Sequence, residues 1–437
     1  MLSDAELQDA DNVTLEQEQA GVAVMAPAAG GIRRGYSWSE LARGIDRWLL
    51  LLVGMLLVAG TLMVYSATFD WSYQSFGSEI EILLRHIRNI LIGSVFLVVL
   101  ALLDYRVLRR MVVWLLLITI GFLVAVWLFG DDTFGARRAL IAGSFQPGEA
   151  AELVIVLYMA AWLSSRRGQI RSIGYGLFPF SVLVGVVAGL IFMQPDFSTA
   201  AIIIVTSTVM FFLAGADLRQ LLGTFGLTSL VMLMVTWLGL LPDYVPNRVT
   251  TYLAGVTDLT QANYHVQQAI IAFLNGGWTG VGLGNGRQKF GFLPATHTDS
   301  IFAVIGEELG VLGMTFILLL YVLLVLRGFY VARRARDPFG ALLAAGLTVW
   351  IAVKALLNIA VITAVVPSTG TPLPFVSFGG SSLVVLMAGT GLLLSVSRLP
   401  YRQAALQERR GLIANPDRSG RDRRARLSRA GRRRGPS

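Results

Sequence analysis

The chain has 437 residues, 55% of them hydrophobic and 14% charged, with a formal net charge of +9, and its mean hydropathy is +0.65. That is far more apolar than a soluble globular protein, and repeated apolar runs of about 18–25 residues can each cross a bilayer core of roughly 30 Å, so the chain reads as an all-α, multi-pass membrane protein and not as a β-barrel of short alternating strands. The excess charge sits at one end, where Arg398 to Ser437 holds 13 Arg against Glu408, Asp417 and Asp422, so it argues for no nucleic-acid partner; without Cys, and with only His86, His265 and His297, the chain has no disulfide or thiolate chemistry and no His-rich metal site.

In chain order, residues 1–44 are polar and begin acidic (Asp4, Glu6, Asp9, Asp11, Glu16, Glu18), which predicts a disordered cytoplasmic extension. The first apolar run starts near Trp48 at full spanning length, so the N-terminus does not read as a signal peptide. Ten spans are expected within residues 45–398, at 47–67, 85–103, 109–129, 148–164, 174–193, 197–215, 221–241, 300–326, 339–364 and 381–398. Arg106, Arg109 and Arg110, then Arg166, Arg167 and Arg171, then Arg219, then Arg327, Arg333, Arg334 and Arg336 all follow even-numbered spans. They share a side with Arg33, Arg34, Arg43, Arg47 and the tail, and the positive-inside rule makes that side, and both termini, cytoplasmic. Residues 399–437 read as an Arg-rich disordered tail that touches anionic lipid.

The opposite side carries few cations, with exceptions. Arg137 and Arg138 precede the fourth span, and Arg248, Arg287 and Lys289 lie in the long loop 242–299 between the seventh and eighth. An anionic substrate would explain them; short Arg runs are also tolerated outside. The loop is too long for a simple connection. It holds an amphipathic stretch, YHVQQAIIAFL (264–274), and a glycine run, GGWTGVGLGNG (276–286), so it is expected to form a partly helical cap at the outer interface. The glycine run is either a hinge or a phosphate cradle; the strand–turn–helix context of a P-loop is missing.

Two outer turns echo each other, FQPGEAAE (145–152) and MQPDFSTA (193–200). In each, Pro suits the first helical turn and the carboxylate after it, Glu149 or Asp196, suits a helix N-terminus. The preceding Gln146 and Gln194 face the same outer side. PSTGTPLPFVSFGGSS (367–382) is a Pro/Gly-rich turn before the tenth span, of the kind tolerated at membrane depth where it lines a cavity.

The stretch FGFLPATHTDSIFAVIGEELG (290–310) concentrates His297, Asp299, Glu307 and Glu308 at the start of the eighth span. Asp299 reads either as an N-cap or as a functional carboxylate. Glu307 and Glu308 fall about 12 Å further along the helix, inside hydrocarbon, at roughly 80° and 180° from Asp299. Intramembrane carboxylates are paired or functional by default. Lys354, about 16 Å below the outer end of its own span and so at similar depth, is the expected partner of at least one of them.

Together these stretches resemble the SEDS family, the FtsW/RodA type of membrane peptidoglycan glycosyltransferases. HTDSIFAVIGEELG is joined in family order by GARR (135–138), FQPGE (145–149), QPD (194–196), YHVQQA (264–269), GVGLGNGRQKFGFLP (280–294) and TPLPFVSFGGSS (371–382), and the likeness spans about residues 45–398. The GEELG and GTPLPFVSFGGSS wording is closer to the division-type FtsW branch. The chain departs from the usual pattern at Glu152 (usually Lys), Ala139 (usually Trp) and Gly148 (usually Ser); Arg85 or Arg88 is the expected counter-charge to Glu152.

The resemblance implies polymerisation of lipid II, an undecaprenyl-pyrophosphate-linked disaccharide pentapeptide, at the outer face of a bacterial cytoplasmic membrane. Asp299 would be the general base in an inverting transfer. Arg137, Arg138, Gln146, Glu149, Gln194, Asp196, Arg248, Gln268, Lys289, His297 and Ser377 would bind substrate. A divalent cation (Mg or Mn) could assist, and a class B penicillin-binding transpeptidase and other divisome proteins would be partners. Two readings compete. A lipid flippase or transporter would cluster its ionisable groups at the midplane, and a noncatalytic division scaffold would need no site.

Overall fold

A computed structural model describes residues 44–130, 132–133, 136–137, 146–166, 168–237, 250–255, 258, 261–367 and 369–414, with 399–414 described by backbone alone. Arg138, Arg248, Ala139 and residues 1–43 and 415–437 lie outside this set, as does the side chain of Arg137.

Among the described residues apolar helices overlap the expected spans. They are α1 (Arg47–Phe76), α2 (Glu81–Leu102), α3 (Tyr105–Phe129), α4 (Pro147–Ser165), α5 (Phe178–Phe192), α6 (Phe197–Leu213) and α7 (Leu218–Trp237). After the amphipathic α8 (Tyr264–Gly276) come α9 (Ile301–Arg334), α10 (Pro338–Ile362) and α11 (Gly380–Ala414). Among the described residues eight helices are long and apolar enough to cross a bilayer, counting Ile173–Phe192, whose first turn is π-helical, as one; α6, with 17 residues, is shorter. A two-residue antiparallel ladder pairs Asp132 with Arg137 and Thr133 with Ala136.

Local chemistry sets the ends. Asp46, Asp104, Asp196, Asn263 and Asp337 cap α1, α3, α6, α8 and α10 by accepting backbone N–H groups. Pro147 opens α4, where its missing N–H costs nothing. Pro195 does not open α6; it precedes the cap, and Asp196 takes that role itself.

Burial separates the helices into layers. α4, α10 and the first half of α11 are buried over most of their apolar length, whereas α2 and α3 leave most of theirs exposed, as lipid-facing helices do. Packing uses small residues at crossings, since lipid supplies no hydrophobic drive between helices. Gly346 sits against Met210 and Gly389 against Trp350. At the basic end of the bundle Arg327 donates to both carboxylate oxygens of Asp46 (3.0 and 2.8 Å), and Arg106 pairs with Asp337 at 3.2 Å.

The helix α9 is interrupted. Gly310 adopts φ 66°, ψ −164°, and the helix resumes beyond it. The glycine run 277–282 crosses this break and takes up the backbone groups it frees. Val281 and Gly282 donate to the Glu307 and Glu308 carbonyls (both 3.0 Å), and Val311 and Leu312 donate to the Gly277 and Trp278 carbonyls (3.0 and 3.2 Å). Irregular backbone is thereby satisfied inside protein. Gly280 (φ 78°) has no alternative, because a Cβ there would lie 2.1 Å from the Glu308 carbonyl oxygen.

Candidate functional site

A cavity of about 310 Å³ lies where four helix N-termini converge. It is lined by Gln146, Glu149 and Glu152 from the start of α4, Asp196, Ser198 and Thr199 from the start of α6, Thr298 and Asp299 from the approach to α9, and 370–372 with 378–382 from the approach to α11. Each N-terminus carries the positive end of its helix dipole. Four such ends offset the four carboxylates and favour anions generally.

Asp299 precedes the N-cap of α9, which is Ser300, and no side-chain cap bond forms there. The Ser300 hydroxyl instead donates to the Pro294 carbonyl (2.6 Å) and lies 2.5 Å from His265 Nε2. With its one proton given to Pro294, the hydroxyl accepts from His265, which fixes the Nε2–H tautomer; burial keeps that imidazole below its ordinary pKa. The Asp299 carbonyl accepts from Asn358 Nδ2 at 2.9 Å, and the same amide donates to the Thr371 carbonyl at 2.6 Å. Asn358 thus joins the segment bearing Asp299 to the 367–382 turn. Ser377 makes a second joint, donating to the Thr298 carbonyl at 2.5 Å and accepting from Leu373 N. Gly370 (φ 74°) closes over the carboxylate: a Cβ there would lie 3.4 Å from Asp299 Oδ2.

The floor is a charge triad. Lys354, fully buried, donates to Glu149 Oε2 (2.5 Å), Glu152 Oε2 (2.7 Å) and more weakly to Ser382 (3.4 Å), and Trp350 Nε1 donates to Glu152 at 2.7 Å. This corrects two expectations. Lys354 pairs with neither Glu307 nor Glu308, because α10 turns it toward α4 and not toward α9. The counter-charge of Glu152 is Lys354; Arg85 instead pairs with Glu81 on its own helix.

Glu307 and Glu308 have a different task. Glu307 accepts the backbone N–H groups of Arg287 (3.0 Å) and Gln288 (3.1 Å). Glu308 pairs with Lys289 Nζ at 2.7 Å and accepts from Ser66 of α1 at 2.7 and 2.8 Å. The glutamates therefore hold the segment between α8 and α9, which packs at their level. Lys289 is buried in this pair, beside the Phe69 and Phe290 rings, and does not line the cavity.

The other expected contacts divide. Gln146, which donates to Asp196 Oδ2 at 3.3 Å, lines the cavity with Glu149, Asp196 and Asp299. Gln194 does not; its amide donates to the Leu123 carbonyl at 2.8 Å. Gln268 lies on α8, partly buried and outside the lining. The His297 ring stacks on Trp71 (centroids 4.9 Å apart), and burial holds its pKa down to about 4. Among the described residues no three His, Asp or Glu side chains are grouped to hold a metal ion.

A family model described as "Cell cycle protein", FtsW/RodA/SpoVE, matches residues 47–401. The chain belongs to the FtsW/RodA/SpoVE family. It is 35% identical over 356 residues to a probable peptidoglycan glycosyltransferase FtsW of Geobacter metallireducens, covering 80% of this chain and 94% of that one. It is 37% identical over 347 residues to the peptidoglycan glycosyltransferase MrdB of Escherichia coli K12, covering 78% and 92%. A solved structure on polymerization and crosslinking by a peptidoglycan synthase complex superimposes with TM-score 0.68 at 29% identity, covering 82% of this chain and 99% of that one. Thermus thermophilus RodA, a rod shape determining protein, gives 0.61 at 27%, covering 82% and 98%.

In this FtsW/RodA/SpoVE chain, sequence reasoning overlooked Asn358, Ser66 and the alliance of Glu152 with Lys354. A signal existed for part of this. Trp350, Lys354 and Asn358 recur every four residues on α10, a polar stripe down an otherwise apolar helix. Ser66 carried none, since one serine in a spanning helix commonly bonds its own backbone.

Proposed function

We propose that this chain is a peptidoglycan glycosyltransferase that polymerises lipid II at the outer face of the cytoplasmic membrane. The observation that carries the reading is the cavity itself: a carboxylate, Asp299, beside four convergent helix N-termini, in a chain whose family relatives are named for this activity. In the mechanism, Asp299 accepts the proton of the acceptor sugar hydroxyl as its oxygen attacks the anomeric carbon of the donor. The bond from that carbon to pyrophosphate breaks in the same step, so configuration inverts and no covalent enzyme intermediate forms. Charge developing on the departing pyrophosphate is stabilised by the helix N-termini, with Arg137, Arg138 and Arg248 as further candidates. Lys289, committed to Glu308, is not among them.

Glu149, Glu152 and Lys354 hold the floor, and Asn358 and Ser377 hold the backbone that carries Asp299 and its facing turn. A class B penicillin-binding transpeptidase is the proposed partner, in keeping with the synthase complex to which the fold is similar. The GEELG and GTPLPFVSFGGSS wording supports a role in division with other divisome proteins. The basic end of the bundle is assigned to the cytoplasm, and labelling of Thr260→Cys from outside but of Ala335→Cys only from inside tests that orientation. Purified protein given labelled lipid II, with and without a transpeptidase, tests the activity: glycan polymer supports the reading, whereas translocation without polymer means a flippase.

A further inference from the structure

At the far end of α9 from Asp299 lies a second and larger cavity, of about 600 Å³. Its lining draws on three helices: Asp46, Arg47 and Trp48 at the start of α1, Arg327, Tyr330 and Arg334 near the end of α9 with Arg336 just beyond, and Val396 and Ser397 of α11. Four guanidinium groups thus face one carboxylate. That carboxylate is already committed. Asp46 caps α1 through Leu49 N (3.1 Å) and receives Arg327 on both oxygens. Arg47, Arg334 and Arg336 are left as a net positive cluster.

Two features distinguish this cluster from arginines that merely reach for water. The guanidinium groups of Arg327 and Arg334 both lie against the Tyr330 ring, 4.3 and 4.5 Å from its centroid, which fixes them at the cavity wall. The rim is apolar. Trp48 is 62% exposed, and the buried Val396 also lines the cavity. A concavity lined by four arginines, one of the uncommitted three held on a tyrosine ring, with an exposed indole in the same lining, fits an amphiphile. Guanidinium recognises phosphate oxygens in pairs, and an interfacial Trp sits at headgroup level beside acyl chains.

We infer that this cavity is a binding site for the phosphate headgroup of an anionic phospholipid, held where α1, α9 and α11 meet. The site is independent of lipid II turnover. Bound lipid ties the start of α1 to the end of α9, so it stabilises the folded chain by mass action.

The test uses the purified full-length chain in a neutral detergent, titrated separately with dioleoyl phosphatidylglycerol, dioleoyl phosphatidylcholine and inorganic phosphate. Melting temperature and the number of lipids retained in native mass spectrometry are read for wild type and for the triple variant Arg47→Gln, Arg334→Gln, Arg336→Gln. The Arg-rich tail is common to both proteins, so their difference reports the cavity. Wild type should retain one more phosphatidylglycerol than the variant. Its affinity should be roughly 100-fold higher, from about fivefold per basic residue, and phosphatidylcholine should not raise its melting temperature. The single variant Arg336→Glu, at an exposed position, guards against misfolding of the triple variant and should weaken phosphatidylglycerol at least about fivefold. Equal phosphatidylglycerol binding by wild type and either variant would overturn the inference. So would equal stabilisation by inorganic phosphate alone, which would assign the cavity to a free anion.

Discussion

Replacing Lys354 by Met removes the sole ammonium from a fully buried triad. The side chain it replaces makes bonds of 2.5 and 2.7 Å to two carboxylates that are themselves 5% and 1% exposed. Breaking one buried pair by deleting one partner costs about 3–5 kcal/mol, because a charge is left uncompensated. Here two carboxylates lose the same partner, so the loss should reach at least that range, or one or both must take up a proton. Replacing the whole triad, with Glu149→Gln and Glu152→Gln added, leaves polar groups without charge and should recover most of the loss, since neutral replacements of buried ion pairs are often nearly neutral. The assay is thermal unfolding in detergent of wild type, the single variants and the triple variant, analysed as a mutant cycle. A Lys354→Met protein as stable as wild type, or a triple variant whose loss equals the sum of its parts, would refute the assignment of these three side chains to one electrostatic unit.

Three further outcomes are expected. Asn358→Ala leaves the Asp299 and Thr371 carbonyls without their shared donor, which should cost about 1–3 kcal/mol and lower kcat for lipid II polymerisation more than it raises KM; unchanged kcat would remove Asn358 from the positioning of Asp299. Gly280→Ala should cost about 2–5 kcal/mol, from a left-handed φ and a Cβ 2.1 Å from a carbonyl oxygen, whereas Gly277→Ala, with φ 52° and nothing within 4 Å, should cost about 1–2 kcal/mol; equal melting temperatures would contradict the docking of the glycine run on α9. Burial depresses His297 from 6.5 to about 4, so the unfolded chain takes up its proton first. Its contribution to stability is therefore complete above about pH 6.5 and lost as pH falls toward 4, and His297→Phe should flatten that part of the pH–stability curve.

What could be read from the sequence follows from what each signal measures. Hydropathy reports how much apolar chain is available to cross a bilayer, and it located the apolar helices. Proline turns followed by acids marked helix starts, and Glu149 and Asp196 do sit at two of the four N-termini around the cavity. Rise per residue gives depth along a helix but not which neighbour a side chain faces. Depth alone matched Lys354 to Glu307 and Glu308, whereas the packing of α10 against α4 gave it to Glu149 and Glu152. The partner of Glu308 came from the segment between α8 and α9, which packs at its level, and no hydropathy window registers such packing. Thr298, Asp299 and Ser300 are all good capping residues, so composition could not separate cap from base; the backbone places Ser300 at the cap position.

That separation makes one substitution decisive. Ser300, not Asp299, occupies the cap position of α9, and asparagine matches aspartate in shape and capping ability, so Asp299→Asn should insert and melt as wild type does. Asparagine cannot take a proton from a sugar hydroxyl at neutral pH, and a general base contributes roughly 10²–10⁴-fold. The measurement is the rate of glycan polymer formation from labelled lipid II by Asp299→Asn beside wild type, with melting temperature and lipid II binding recorded on the same preparations. The account predicts intact folding and binding with at least roughly 10²-fold less polymer per unit time, about 2.7 kcal/mol of barrier. Polymer at close to the wild-type rate would contradict it and remove Asp299 from the chemistry.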